Sequence, residues 1–340
     1  MDAPAFAFGA LRNDMTMTDT GPLFVSSGDL IADRRYQAAI ELASRGDFPA
    51  AADILVQTVE LAPKFATAWF ALGAIRDRLG DRDAAVAAFG QARNADPADY
   101  HGARLQLARL GAGEAAPEMT ETYVRRLFDQ YAERYDTALT EHLNYRGPAI
   151  LLDAVESAMR AAGRPMRFGS MLDLGCGTGL AGAVFRPYVD WLVGVDLSPA
   201  MIAQAASKGL YDRLVTADLS GFLAEEIADA GKYHLVIAAD VLVYVNDLAP
   251  IVAAIARILA PDGLLAFTAE THSGDGPKLL PTLRFAYGAA YVRRVLGDAS
   301  LAVVHLAEVS VRTEKGVPVD GLVVIAQTST AARPAASSDG

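Results

Sequence analysis

The sequence predicts an α/β domain with a mostly parallel sheet, preceded by an all-α region of helical hairpins. Three observations predict it. From about residue 148, short apolar runs alternate with helix-length segments, as a parallel sheet covered on both faces by helices requires. Between about 30 and 97 the chain repeats itself at an offset of 34 residues. At Met171-Leu172-Asp173-Leu174-Gly175-Cys176-Gly177-Thr178-Gly179-Leu180 an apolar run meets an acid and then alternate glycines. That pattern reads as a buried strand, a tight loop and a helix start.

The 340 residues suffice for two domains, and 52% hydrophobic against 21% charged residues supplies a core for them. A net charge of -11 without a basic face argues against a nucleic-acid partner. No apolar run reaches the roughly 18 residues of a membrane span, and no secretory signal is expected at the N-terminus. Cys176 is the single cysteine, which excludes an intrachain disulfide and fits a reducing, cytoplasmic setting. Composition divides the chain into a disordered segment at 1–30, a repeat region at 31–115, a helical lid or linker at 116–147, the α/β domain at 148–330 and a disordered tail at 331–340.

In the repeat region Pro63 and Pro97 each follow a helix, and Arg45-Gly46-Asp47 and Leu79-Gly80-Asp81 are equivalent turns. Helices are predicted from Pro49 to Leu61 and from Asp83 to Ala95, with a third unit opening on a helix from His101 to Leu110. Trp69, Leu72, Gly73, Ala85, Phe89 and Pro97 stand in the register of the tetratricopeptide repeat, which this region resembles over about two and a half units. The first unit departs from the pattern, with Arg35 and Ala38 in place of Trp and Leu. So short an array needs something to pack on. The repeats are either a scaffold with no partner of its own or a docking site for a protein partner, and Phe70 and Ala74 in place of the Lys and Asn of carboxylate-clamping versions do not support a carboxylate clamp.

Residues 119–146 carry Tyr123, Leu127, Phe128, Tyr131, Tyr135 and Leu139 at three- and four-residue steps, with Thr120 as N-cap. This predicts one amphipathic helix, either core-facing or a lid over a pocket. Beyond it, strands are predicted at 170–174, 191–195, 213–216, 233–238, 263–269, 301–308 and 321–327. Helices are predicted at 148–162, 178–186, 199–208, 219–229, 247–260 and 280–296. The short link between the last two strands makes them antiparallel neighbours.

Spacing discriminates between glycine loops. A dinucleotide loop, G-x-G-x-x-G, needs a third glycine five positions after the first, whereas Gly179 is four after Gly175. The string Asp173-x-Gly175-x-Gly177-x-Gly179 resembles motif I of class I S-adenosylmethionine-dependent methyltransferases. The next strand ends at Asp196, where a carboxylate can accept ribose hydroxyls. Leu197-Ser198-Pro199-Ala200-Met201, then Thr216-Ala217-Asp218-Leu219, then the strand ending Ala238-Ala239-Asp240 follow in the family's order. Phe128-Asp129-Gln130-Tyr131-Ala132-Glu133-Arg134-Tyr135-Asp136 resembles the leading segment of small-molecule methyltransferases of the quinone-biosynthesis type. The whole chain is similar to a bacterial group of repeat-containing methyltransferases.

The resemblance implies a Rossmann-like, seven-stranded sheet, mostly parallel with the last strand antiparallel, and S-adenosylmethionine as cofactor. Asp173, Gly175, Gly177 and Gly179 would lie beneath its methionine moiety. Asp196 would hold ribose, Leu197, Met201 and Leu219 would border the adenine, and Asp218 would take the adenine amino group or merely cap a helix. Tyr131 and Tyr135 would flank the sulfonium, which aromatic faces attract, and Asp240 would face the transferred methyl. Methyl transfer needs alignment more than a base, so no catalytic residue is fixed; Asp240, Tyr244, Glu270 and His272 are the candidates. Arg284, Tyr287 and Tyr291, on the predicted helix after the fifth strand, are candidates for acceptor binding. No His, Cys or acidic spacing suits a metal. The expected activity is methylation of a small molecule. The alternatives are a protein methyltransferase whose repeats dock the substrate, and a non-catalytic cofactor-binding assembly protein.

Overall fold

A computed structural model of the chain describes residues 24–114, 119–133, 135–137, 145–228, 232–314 and 317–328. The chain forms two compact units. One comprises Met1–Arg126 with Leu279–Arg284, the other Leu127–Lys278 with Phe285–Gly340. The predicted tail at 331–340 and most of the predicted leading segment lie outside the described residues.

The first unit is helical: α1 (Leu30–Ser44), α2 (Phe48–Leu61), α3 (Ala66–Arg78), α4 (Arg82–Ala95), α5 (Ala103–Arg109) and the start of α6 (Glu121–Tyr131). Its repeat is written in the turns. Gly46 and Gly80 adopt φ of 85° and 79°, the left-handed conformation that ends a helix at no steric cost to glycine. The next residue then bonds back across the turn, Asp47 N–H to the Leu42 carbonyl at 3.0 Å and Asp81 N–H to that of Arg76 at 2.9 Å. The same aspartates cap the following helices through the N–H groups of Ala50 and Ala84, each cap contributing about 1 kcal/mol. Gly73 lets α3 and α4 approach closely, since a Cβ there would meet the Phe89 ring at 2.8 Å. Residues 24–29 correct the prediction of disorder up to 30. Val25 exchanges hydrogen bonds with Thr67 Oγ1 at 3.2 and 3.1 Å, and the Phe24 ring packs 5.4 Å from that of Tyr36. Around α5, Tyr123 and Leu283 are buried in one cluster with Phe70, Phe89, Leu105 and Leu107.

The second unit is built on a nine-stranded sheet, not one of seven. Its strands are β1 (Phe168–Leu174), β2 (Val189–Asp196), β3 (Arg213–Thr216), β4 (Tyr233–Ala238), β5 (Leu259–Thr271), β6 (Pro277–Leu279), β7 (Phe285–Tyr287), β8 (Leu301–Val309) and β11 (Gly321–Thr328). Seven of them form the order β3-β2-β1-β4-β5-β11-β8, and the two short strands β6 and β7 are added beside β5. The pairs among β1 to β5 are parallel, and β11 runs antiparallel to both β5 and β8. A separate two-stranded hairpin, β9 (Thr313–Glu314) with β10 (Val317–Pro318), interrupts the link between β8 and β11. The helices are α7 (Tyr135–Thr137), α8 (Gly147–Ala161), α9 (Leu180–Phe185), α10 (Pro199–Ser207), α11 (Leu219–Ile227), α12 (Leu248–Ile258) and α13 (Ala289–Asp298).

Two predicted helices are corrected. The 119–146 stripe is not one helix: α6 ends at Tyr131, α7 covers three residues, and Leu139 lies outside the described residues. The 280–296 segment contains β7, and its helix starts only after Gly288. Phe285-Ala286-Tyr287 is apolar enough to read either way over so short a stretch, and its pairing with Glu270 and Thr271 of β5 makes it a strand. Leu151, Val155 and Met159 of α8 are buried with Phe168, Phe185, Leu235, Ile237, Val323 and Ile325 in the core of this unit. Because β1 lies between β2 and β4, successive connections leave it in opposite directions, and a crevice opens at its C-terminal end. Open α/β sheets bind ligands there.

Candidate functional site

The loop after β1 lies across that crevice. Cys176 N–H bonds to the Val195 carbonyl at 2.9 Å, extending the ladder between β1 and β2 beyond the strands. Gly175, Gly177 and Gly179 have φ of 63°, 53° and 91°, where a side chain costs about 1–2 kcal/mol. They are not equivalent. A Cβ on Gly175 would lie 2.5 Å from the Val241 side chain, whereas on Gly177 its nearest neighbour is Tyr135 at 3.8 Å. Gly177 therefore presents bare backbone to a small cavity of about 30 Å³, lined among others by Tyr135, Tyr145, Asp173, Gly175, Cys176 and Ala239.

Asp196, at the end of β2, has one oxygen taken by Gly177 N–H at 2.9 Å and the other by Ser198 N–H at 2.8 Å. Burial raises its pKa, these N–H groups oppose the shift, and the nearby charge of Asp129 adds to it. Asp173 is 1% exposed and lines the cavity. Its Oδ2 accepts the Tyr211 hydroxyl at 2.7 Å, and its Oδ1 is buried with no hydrogen-bond partner. Burial lifts its pKa to about 7, partly countered by the Tyr211 bond, reinforced by Asp196 and again countered by the Gly182 backbone. Burial also pushes the Cys176 thiol up, so it is no nucleophile.

The segment α6–α7 is tied to this crevice by its acids. Asp129 accepts from the Ser198 hydroxyl at 2.5 Å, beside the N-terminus of α10, where a negative charge is favoured. Asp136 accepts from Thr178 of the glycine loop and pairs with Lys208 at 2.6 Å. Tyr131 is buried, and Tyr135 lines the cavity. Phe128 meets Tyr244 edge-on at 5.3 Å, bringing the segment beside the turn that follows β4. Of the adenine candidates, Leu197 and Leu219 are half-buried and Met201 is fully buried. Asp218 caps α11 by accepting from Gly221 N–H at 2.8 Å.

Asp240 follows β4 in the left-handed conformation, φ 62°, its N–H donated to Thr268 Oγ1 at 2.9 Å. Its carboxylate lies 3.4 Å from Arg312, which also binds Glu270 at 2.7 Å. Arg312 is 2% exposed, a buried charge paired with two carboxylates. The sequence offers Asp240 and Glu270 separately, and only the fold supplies the guanidinium between them.

Four candidates fall elsewhere. His272 is not placed as a base: its Nε2 lies 3.1 Å from the Gly276 carbonyl and its Nδ1 accepts from Gly274 N–H at 3.0 Å, so both nitrogens close its own loop. Arg284 precedes β7, not on a helix, and belongs with the helical unit. Tyr287 lies on β7, fully buried, donating to the carbonyls of Leu242 and Val245. Its stacked neighbour Tyr291, on α13, donates to Asp247 Oδ1 at 2.6 Å. These two tyrosines hold the 242–248 turn and do not present hydroxyls to an acceptor. Tyr211 carries no motif and is the residue sequence reasoning missed. Among the described residues no cluster of His, Cys, Asp and Glu suits a metal.

Residues 123–294, half of the chain, match the model of a family described as a methyltransferase domain. Human methyltransferase-like protein 27 is 35% identical over 105 residues, a match covering 31% of this chain and 40% of that protein. Among solved structures, the 1,6-didemethyltoxoflavin-N1-methyltransferase of Burkholderia thailandensis, bound to S-adenosylhomocysteine, is similar at 19% identity and a TM-score of 0.45, covering 60% of this chain and 87% of its own. The magnesium protoporphyrin IX methyltransferase of Synechocystis, bound to S-adenosylmethionine, is similar at 19% identity and a TM-score of 0.46, covering 64% and 100%. The chain belongs to the methyltransferase-domain family.

Proposed function

We propose that the protein is an S-adenosylmethionine-dependent methyltransferase acting on a small molecule. The observation that carries this reading is the left-handed glycine loop laid across the ends of β1 and β2, with Asp196 bonded to it and Asp173 beneath it. The residues suit such a cofactor: Asp173 Oδ1 is an acceptor lacking a donor, and Gly177 leaves space that a Cβ would fill. In this reading Asp196 takes the ribose hydroxyls, Asp218 the adenine amino group, and Leu197, Leu219 and Met201 the adenine surroundings. The glycine loop and Asp173 hold the methionine moiety, and Tyr131 and Tyr135 stand beside the sulfonium.

The cofactor supplies an electrophilic methyl carbon; the chain supplies alignment and a dry site. In the same reading Asp240, paired with Arg312 just after β4, faces the acceptor, and the Phe128–Tyr244 ring pair beside the following turn offers it apolar surface. These aromatic edges favour a compact acceptor over a peptide. The helical unit, in the same reading, is a tetratricopeptide array whose partner is a protein, supported by its 34-residue spacing and repeated turns. The lone thiol supports a cytoplasmic location.

The test is incubation of the full chain with methyl-labelled cofactor and host lysate, label being sorted into protein and metabolite fractions. Label in metabolites is expected, and it should be lost with Asp196→Ala, which weakens cofactor binding at least tenfold, about 1.4 kcal/mol. Label confined to protein would replace the acceptor with a polypeptide. No label in either fraction would leave a cofactor-binding protein without turnover.

A further inference from the structure

Tyr211 stands between α10 and β3, and three glycines make room for it. A Cβ would lie 3.0 Å from its ring at Gly179 and 2.8 Å at Gly194, and at Gly182 it would overlap the hydroxyl. Those glycines lie on the loop, in β2 and in α9. Three separate elements thus form a slot for one aromatic ring. The slot delivers the hydroxyl to Asp173 Oδ2 at 2.7 Å, while Oδ1 of the same carboxylate is buried without a donor. A carboxylate accepts and never donates when ionised. With Oδ2 taken by Tyr211 and the Gly182 backbone also acting on this carboxyl, Oδ1 is the oxygen without a hydrogen-bond partner of its own, in a residue that lines the cavity.

We propose that Tyr211 is a positioning residue: it fixes the Asp173 carboxylate so that Oδ1 receives a cationic group of the bound cofactor. The proposal rests on the cofactor reading above and adds the residue that sets the acceptor. Tyr211 acts through Asp173, to which its hydroxyl donates. The groups facing Asp173 are Tyr211, Cys176, Asp196 and the Gly182 backbone. Burial lifts this carboxyl and the tyrosine bond opposes the lift. Cofactor affinity therefore rises with pH through the Asp173 titration, and removing the hydroxyl moves that rise to higher pH.

The experiment is calorimetric titration of S-adenosylmethionine and S-adenosylhomocysteine into the full chain between pH 6 and 9. Wild type, Tyr211→Phe, Asp173→Asn and the double variant are compared. Phenylalanine keeps the ring in its slot, and ligand-free melting checks each fold. At pH 7.5, Tyr211→Phe is expected to weaken binding at least about fivefold, as loss of one hydrogen bond to a charged group implies. The rise of affinity with pH should shift upward in Tyr211→Phe and vanish in Asp173→Asn. In the Asp173→Asn background, Tyr211→Phe should cost nothing further. A merely structural tyrosine would weaken binding equally in both backgrounds and leave the pH profile in place, which overturns the proposal. A wild type that binds neither compound overturns the cofactor reading as well; a binding wild type with an indifferent Tyr211→Phe overturns this proposal alone.

Discussion

Asp173 shows how one residue can carry a functional load against its own stability. Its pKa of about 7, raised from 3.8 by burial, means that the folded chain holds a proton that the unfolded chain releases between those values. The unfolded state then binds fewer protons, so this residue makes stability fall as pH rises from about 4 to about 7. Above that range the native state contains an ionised carboxylate with one oxygen lacking a donor. Asp173→Asn, which cannot ionise, is expected to raise the ligand-free melting temperature by a few degrees at pH 8 and to change it little at pH 4. Thermal scans at the two pH values check this; an equal effect at both would refute it. The acid itself was legible from its place before the glycines. Its partner Tyr211 was not, because an aromatic residue in a short loop carries no pattern. The signal that could have found it is the pair Gly182 and Gly194. Glycine inside a helix or a strand marks close approach of another group, and neither position is needed by the turn.

At the scale of elements, the glycine loop separates structural from ligand-facing positions. Gly175→Ala adds a left-handed strain of about 1–2 kcal/mol to an overlap with Val241, so melting temperature and affinity should fall together. Gly177→Ala carries the same strain with open space beyond it. It is expected to melt only a few degrees lower yet to lose more than tenfold in cofactor affinity, because its Cβ fills the face the ligand needs. Melting and calorimetry on the two variants read the contrast, and parallel losses in both would show that Gly177 is merely a turn residue. The apolar run of β4, buried along nearly its whole length, was legible to the residue, and so was β3, although it is a half-exposed edge strand. The 277–288 region was not. Two three-residue strands are too short for a period, and Arg284, Tyr287 and Tyr291 were placed on a helix that β7 interrupts.

Across the whole molecule, the sequence separates a repeat region from an α/β region, but the compact units do not follow that line. The boundary falls within α6, and Leu279–Arg284 belongs with the helical unit despite lying some 150 residues downstream. No local pattern announces such a return, because Leu279 at the end of β6 and Leu283 before β7 look like ordinary apolar residues. Leu283 is 4% exposed and shares a cluster with Phe70, Phe89, Leu107 and Tyr123. It adds apolar surface to the cluster that α5 shares with α4. Leu283→Ala should therefore cost about 2–4 kcal/mol, the usual range for a buried leucine, and the loss should appear in the helical unit. Amide hydrogen exchange on the full chain reads this directly. Faster exchange is expected across α4 and α5, with the strands β1, β2 and β4 unchanged. Loss of protection in those strands with α4 and α5 intact would place Leu283 in the sheet unit and refute the division. The same reasoning bears on truncation. A fragment beginning at residue 127 retains 279–284 without the helices that bury it, and exposes Leu283 to water. It should bind a hydrophobic dye more strongly than the full chain, and Leu283→Ser should reverse that in the fragment while destabilising the intact protein.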